Sequence, residues 1–265
     1  TLERQIADFQ AGGQRALVSV ILPTWNRAHS LRAAFASVQA QSYSNWELII
    51  IDDGSVDDSV LSVEAESQRD PRIRLISRPH EGVSAARNAG LAAVKGDYVA
   101  FLDSDKEWGS EFLMSMLAAL TQNNWRAAVA SCEIHVGGRV FYRSVQPTTE
   151  SLRLGNSIDQ TAIVLEADVA RQTGGFDESL KRAVDYDWIL AVNRLATIHQ
   201  ISYVGVRYSE DDTDPNRISE AYSVAWNLYV SDRAAWVDTP PTHTPEPGLL
   251  SVVVDQVRYF SQGQQ

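Results

Sequence analysis

Only one cysteine, Cys132, occurs among the 265 residues. A single thiol cannot form an intramolecular disulfide, so the chain must rely on its core, and a reducing, cytoplasmic setting is expected. Cys132 ends the apolar run 127–132 and reads as a small buried hydrophobe, not a nucleophile. No stretch approaches the ~18 apolar residues of a helical membrane span. The opening TLERQIADFQAGGQR lacks the apolar centre of a signal peptide. It also lacks an initial Met, so the chain reads as a piece of a longer, multidomain protein. Basic residues are few: 23 Lys and Arg stand against 34 Asp and Glu, a formal net charge of -11. Such a surface repels phosphate backbones, which argues against nucleic acid as a partner. It also disfavours broad docking on an anionic membrane, while peripheral association through a local basic patch remains compatible. There is no internal repeat.

What is present suits a globular α/β domain. Hydrophobic residues make up 44% of the chain, enough for a sizeable core. LVSVILPT (17–24) and ELIIIDDGS (47–55) are short, rich in branched residues and end in turn formers, as buried parallel strands do. Ser30 is placed to cap a helix with Leu31, Ala34, Phe35 and Val38 on one face. A helix over 58–67, a strand at 73–77, an Ala-rich helix in GVSAARNAGLAAVKG and a strand in YVAFLDSD complete a βαβ rhythm. This predicts a mostly parallel central sheet flanked by helices. Beyond residue 126 the pattern becomes mixed. AVASCEIHV, Gly137-Gly138 and RVFYR read as a hairpin. Residues 144–160 look irregular, a strand near 162–165 leads into a helix stopped by Gly174-Gly175, and 184–196, 201–207 and 219–235 read as helix, strand and helix. The expected organisation is an extension at 1–16, one domain at 17–236 with halves 17–108 and 109–236, and a Pro-rich linker and tail at 237–265.

The polar residues gather at the carboxyl ends of the predicted strands, where open parallel sheets bind ligands. Pro23, Thr24, Asn26 and Arg27 follow the first strand, Asp52, Asp53, Gly54 and Ser55 the second, and Asp103, Ser104 and Asp105 the fourth. Two carboxylates one residue apart at a strand end suit a hard cation such as Mg²⁺ or Mn²⁺, though the same triplet also makes a solvated acidic turn. Asp52 or Asp53 suits a ribose or base contact, or merely caps a turn. Arg87 suits a phosphate, or is a surface arginine on its helix. Asp185 in VDYDW suits a general base, or caps a helix through the dipole. A phosphotransferase with an Asp-x-Asp nucleophile also places two acids at a strand end, but Lys106-Glu107-Trp108 lacks the small turn that should follow. Trp108, Trp188 and Trp226 suit sugar stacking or the core.

Together, VSVILPTWNR, ELIIIDDGSVDDS, GVSAARNAG, GDYVAFLDSD, GGFDE and VDYDW, in that order over about residues 17–210, resemble the family-2 glycosyltransferases. These are mostly inverting, mostly bacterial enzymes of the GT-A fold, a Rossmann-like α/β architecture with a nucleotide-sugar half and an acceptor half. The resemblance implies transfer of a sugar, usually from a uridine-linked donor, to a hydroxyl of a glycan or lipid-linked acceptor in polysaccharide biosynthesis, with Mn²⁺ or Mg²⁺. It implies nucleotide contacts from Pro23, Thr24, Asn26, Arg27, Asp52 or Asp53, and Arg87. It implies Asp105 as the direct metal ligand, Asp103 nearer the ribose or sharing the metal, and Ser104 among the nucleotide-sugar contacts. It likewise implies Asp185 as the base, with Gly175, Phe176, Asp177, Asp187 and Trp188 on the acceptor side. Three departures stand out. Lys106 replaces a frequent acid, Val184 replaces a Glu and lets Asp187 compete with Asp185, and SEDDTDPNR leaves only Arg207 and Arg217 to close over a diphosphate. An inactive nucleotide- or glycan-binding module is the alternative these departures allow.

Overall fold

The computed structural model describes residues 1–13 and 15–209. The expected helix at 219–235, the loop beyond Ser209 with Arg217, Trp226 and the tail at 237–265 lie outside the described residues.

The first half follows the βαβ rhythm. Strands β1 (Val18–Thr24), β2 (Trp46–Asp52), β3 (Ile73–Ser77) and β4 (Tyr98–Phe101) are parallel and lie in the order β3-β2-β1-β4. Every residue of β1 and β2 is buried, because helices cover both faces and no alternation with polar residues is needed. The connecting helices are α2 (Ala28–Gln39), α3 (Ser59–Arg69) and α4 (Val83–Ala92). Helix α2 buries Leu31, Ala34, Phe35 and Val38 as its spacing predicts, but it begins before Ser30, with Arg27 at the N-cap. Its open amides are met from another segment: Arg27 N donates to Ser59 Oγ at 3.0 Å, and Ala28 N donates to Asp57 Oδ2 at 3.1 Å. A local cap at Ser30 was therefore unnecessary.

The second half is mixed. It contains β5 (Glu107–Trp108), α5 (Phe112–Asn123), β6 (Ala127–Val136), β7 (Arg139–Arg143), α6 (Thr149–Leu154), β8 (Ile163–Glu166), α7 (Ala167–Gln172), α8 (Val184–Leu195) and β9 (Ile198–Ser209). The sheet continues from β4 as β8-β6-β9-β5. Strand β8 runs antiparallel to both β4 and β6, whereas β9 is parallel to β6. The β6–β7 hairpin turns on Gly137 (φ +55°) and Gly138 (φ +71°), a conformation that favours glycine at both positions.

Three helices carry no sequence-based expectation. Helix α5 is buried from Phe112 through Leu120, so it shows no polar face and no amphipathic period. Helix α6 is a short turn held by reciprocal Thr148 and Ser151 capping inside a polar stretch. Helix α1 (Leu2–Ala11) buries only Phe9, whose ring lies 6.0 Å from that of Tyr43. Among the described residues no helix is long and apolar enough to cross a membrane.

The seating of α4 on β1 matters because α4 carries Arg87. Gly90 faces Ile21, and a Cβ there would lie 2.4 Å from Ile21 Cγ2. Ala is normally the better helix residue by roughly 1 kcal/mol. Ile21 is fully buried in the central strand and cannot move aside, so overpacking should win. Gly90→Ala is expected to destabilise the fold by about 1–3 kcal/mol, read as a lower urea midpoint at unchanged m. An unchanged or raised midpoint would show that the helix can shift away from the strand.

Candidate functional site

The strand ends open onto a cavity of about 830 Å³, within the usual range of roughly 300–1,000 Å³ for small-molecule sites. Pro23, Thr24, Trp25 and Arg27 enter it from the end of β1, Asp53 from β2, and Asp103, Ser104, Asp105 and Lys106 from the turn after β4. The first turns of α4 add Gly82, Val83, Ala86 and Arg87. The far wall comes from the second half: Arg143, Asn156, Asp159, Gln160, Lys181 to Asp185, and Tyr208.

Of the neighbouring acids Asp52 and Asp53, only Asp53 lines the cavity, since successive side chains point to opposite sides. Asp52 does not line the cavity, and its carboxylate accepts from Ser55 N at 3.3 Å. Asp53 lines it and accepts from Glu81 N at 3.0 Å and Gly82 N at 2.8 Å. The His80 ring nitrogen lies 2.8 Å from the same carboxylate, and the His80 ring stacks on Trp25 at 4.3 Å. Asp53 thus fixes the start of α4 and a flat aromatic pair at the cavity rim.

At the floor, the buried Arg87 donates from Nη2 to Asp103 Oδ1 at 2.9 Å, while its Nε has no partner among the described residues. Lys106 Nζ lies 3.5 Å from Asp103 Oδ2 and donates to Asp159 Oδ2 at 2.7 Å. Burial works against the charge on Lys106, but Asp159 and Asp103 outweigh it and raise its pKa. Burial likewise opposes the charge on Asp159, yet Lys106 and the Thr161 hydroxyl and amide bring its pKa down to about 2. The lysine at the departing position 106 is therefore engaged with Asp159.

Asp105 is different. Burial and the nearby Asp103 raise its pKa, and Lys106 and Arg27 offset this only in part. A carboxylate whose charge is disfavoured in this way gains from a bound cation. Among the described residues no three His, Cys, Asp or Glu side chains converge as a ready-made metal cage. The donor set fits Mg²⁺ or Mn²⁺ held by Asp105 and Asp103, with ligand phosphates and water filling the remaining positions.

Asp185 occupies the first turn of α8 and accepts from Asn156 Nδ2 at 2.9 Å. Just before it, Ala183 takes the left-handed conformation at φ +55°. Lys181 and Arg182 line the cavity, and neither makes a hydrogen bond or ion pair among the described residues.

Seven expected site residues lie outside the cavity lining, each for a visible reason. Asn26 sits at φ +52° and clamps the loop after β2, its Oδ1 accepting from Val56 N at 2.8 Å. Asp52 holds Ser55, as described above. Gly175 (φ +91°) passes against Asn88, which would lie 2.6 Å from an added Cβ. Phe176 and Trp188 are core residues, stacked at 5.2 Å and both edge-on to Phe101. Asp177 caps the next turn through Ser179 N and Oγ. Asp187 lies on α8 away from the cavity, which leaves Asp185 as the acid facing it. Trp108 is core, with Nε1 donating to Thr161 O at 2.9 Å, and Arg207 pairs with Glu133. Cys132 is buried, which pushes its thiol up to about 12, in keeping with an inert side chain.

The sequence reading passed over Trp25, although it stands inside PTWNR between residues assigned to the nucleotide. It also passed over His80, Arg143, Asn156, Asp159, Gln160, Lys181, Arg182 and Tyr208. Asn156 to Gln160 fall in a stretch with no periodicity, and nothing in the text marks them.

Replacing Lys106 with Met should leave the buried Asp159 with only Arg143 Nη1, at 4.0 Å, as a cationic neighbour among the described residues. A loss of about 3–5 kcal/mol is expected by denaturant unfolding, and Lys106→Met/Asp159→Asn should recover much of it. A double variant no better than the single would show that the pair contributes little.

Residues 19–175 match the model of Glycosyl transferase family 2. Over 132 residues the chain is 35% identical to the Escherichia coli protein UDP-Glc:alpha-D-GlcNAc-diphosphoundecaprenol beta-1,3-glucosyltransferase WfgD, covering 49% of this chain and 51% of that protein. Over 184 residues it is 31% identical to the putative colanic acid biosynthesis glycosyl transferase WcaA of E. coli K12, covering 66% and 65%. The chain thus spans between half and two thirds of the length of these relatives. In three dimensions it is similar to S. aureus TarS 1-349 solved with UDP-GlcNAc, at TM-score 0.70 and 19% identity over 92% of this chain and 72% of that one. It is also similar to the mannosyltransferase PcManGT of Pyrobaculum calidifontis solved with GDP-Man and Mn2+, at TM-score 0.64 and 16% identity over 96% and 81%. The parallel half that ends in Asp53 and Asp103 to Asp105, the mixed half that carries Asp185, and the family match over most of both make this chain a member of the family-2 glycosyltransferases, with the GT-A fold.

Proposed function

We propose that this chain transfers a sugar, with inversion, from a nucleotide-diphosphate donor to a hydroxyl of a glycan or lipid-linked acceptor. The observation that carries this reading is that one cavity has the Arg87–Asp103–Asp105 group on one wall and Asp185 on another. The names of two similar proteins include uridine-linked donors, and this favours a uridine nucleotide here as well.

In this reading the nucleobase lies at the Trp25–His80 pair and is within reach of Asp53. Asp185 removes the acceptor hydroxyl proton while the oxygen attacks the anomeric carbon. The bond from that carbon to the diphosphate breaks, and its electron pair leaves on the diphosphate oxygen. Attack opposite the leaving group inverts the centre, through an oxocarbenium-like transition state. A divalent ion at Asp105 and Asp103 would neutralise charge on the departing diphosphate. Arg87, Lys181 and Arg182 supply cationic donors to the same group. The last two fill the part that the acidic segment after Ser209 was not suited to play.

Asp185→Asn is expected to lower transfer by about 10²–10⁴-fold, with UDP-sugar affinity by calorimetry within about twofold of wild type. Wild-type turnover in this variant would place the base elsewhere. Asp105→Asn should remove the gain in UDP affinity that Mn²⁺ brings, and an undiminished gain would remove Asp105 from the metal site. Wild-type protein that binds UDP-sugar with Mn²⁺, yet neither transfers nor hydrolyses it with any acceptor tried, would favour the inactive binding module.

A further inference from the structure

Gln160 is 2% exposed and lines the cavity, yet neither its amide nitrogen nor its amide oxygen has a hydrogen-bond partner among the described residues. Asn156, on the same wall, leaves its Oδ1 unpartnered. Buried amides are almost always satisfied, and an unsatisfied one is costly to keep. An amide left unpartnered in a cavity wall is a group that a bound ligand can satisfy.

The segment that carries it is tied at both ends. Asp159 accepts from Lys106 at 2.7 Å, and Lys106 follows the Asp103–Asp105 turn. Asn156 donates to Asp185 at 2.9 Å. Residues 156–160 thus bridge the wall assigned to the diphosphate and the wall assigned to the base. In a displacement with inversion, the transferred sugar must lie between its leaving group and the attacking hydroxyl.

We propose that Gln160 reads hydroxyl or amide groups on the sugar ring of the donor and is a specificity-determining residue for the sugar transferred. This rests on the sugar-transfer reading above. A carboxamide offers one acceptor and two donors, so it can accept from one ring hydroxyl and donate to its neighbour, or pair with an acylamino substituent. A site built on such a group rejects sugars that lack the matching polar atoms, because the amide then stays buried and unpaired. Lys106 holds Asp159 and thereby positions the adjoining Gln160.

The test is calorimetry in Mn²⁺ on wild type, Gln160→Met and Gln160→Asn. UDP is compared with UDP-glucose and UDP-N-acetylglucosamine, and GDP with GDP-mannose. Wild type should bind one sugar conjugate more tightly than the bare diphosphate. Gln160→Met, close in volume but without hydrogen-bonding groups, should lose about tenfold of that gain while binding the bare diphosphate within about twofold. Its thermal midpoint should be equal to or above wild type, since an unsatisfied buried amide is gone. Gln160→Asn keeps the amide but withdraws it by one methylene, and should lose the gain as well, so a poorly folded Met variant does not rescue the idea. Retention of the full sugar-dependent gain in both variants overturns the inference while sugar transfer stands. So does a wild type that binds the diphosphate but gains nothing from any attached sugar. A wild type that binds none of the nucleotides sinks both.

Discussion

The ion pair between Lys106 and Asp159 closes the cavity from both sides. Lys106 follows the last parallel strand of the first half, and Asp159 precedes the antiparallel strand β8 of the second. Their contact at 2.7 Å is almost wholly buried. Replacing both by apolar groups would often leave a fold no less stable, so stability alone does not explain the pair. Its geometric consequence is that the 156–160 segment is held against the Asp103–Asp105 turn. Because Asn156 in turn holds Asp185, two hydrogen-bonded contacts set the position of helix α8 relative to the carboxylate turn.

The same network resolves an electrostatic problem. Parallel strands deliver their carboxyl ends to one rim, which brings Asp53, Asp103 and Asp105 into the cavity, and Asp159 and Asp185 join them from the second half. Six cationic side chains line it with them, although the chain as a whole carries a net charge of -11. The interior of the site is thus far less acidic than the surface, as the capture of a polyanionic ligand requires. The cations are unequally employed. Arg87 and Lys106 are engaged by acids, whereas Lys181 and Arg182 have no partner among the described residues. Asp105, whose charge is disfavoured where it stands, is the complementary unsatisfied anion. Unpaired positive groups on one wall and an uncomfortable carboxylate on another suit a diphosphate bound together with a divalent ion.

The first half was legible because its physics is local. Buried parallel strands read as branched apolar runs, and their ends read as turns, so Thr24, the Asp52–Asp53 pair and Asp103 to Asp105 fall on one rim by spacing, whereas Arg87 on its helix is tied to the site only by the family resemblance. The two neighbouring acids Asp52 and Asp53 could not be told apart, since that choice depends on which face of the sheet end each side chain takes. The second half was less legible because its elements are set by distant contacts. Helix α5 has no polar face to betray its period, and strand β8 reverses direction where the βαβ rhythm would have it continue. Asn156 and Gln160 belong to an aperiodic stretch whose position is fixed by Lys106 and Asp185, and neither contact is visible in the sequence.

The displaced residues Phe176 and Trp188 show why a motif can persist without touching a ligand. Phe101 ends strand β4, two residues before Asp103, and its ring meets both Phe176 and Trp188 edge-on. Phe176 is held by Asn88 of α4, which accepts from its amide at 2.7 Å and donates to its carbonyl at 2.9 Å. Trp188 lies one turn beyond Asp185 on α8 and stacks on Phe176. Aromatic rings packed at native density are poorly compressible, so this cluster acts as a spacer between the carboxylate turn and the helix that carries Asp185. Gly175 is part of the same device: its φ of +91° and its contact with Asn88 let the chain pass where no side chain fits. Phe176 and Trp188 thus set the spacing between the carboxylate turn and the helix that carries Asp185.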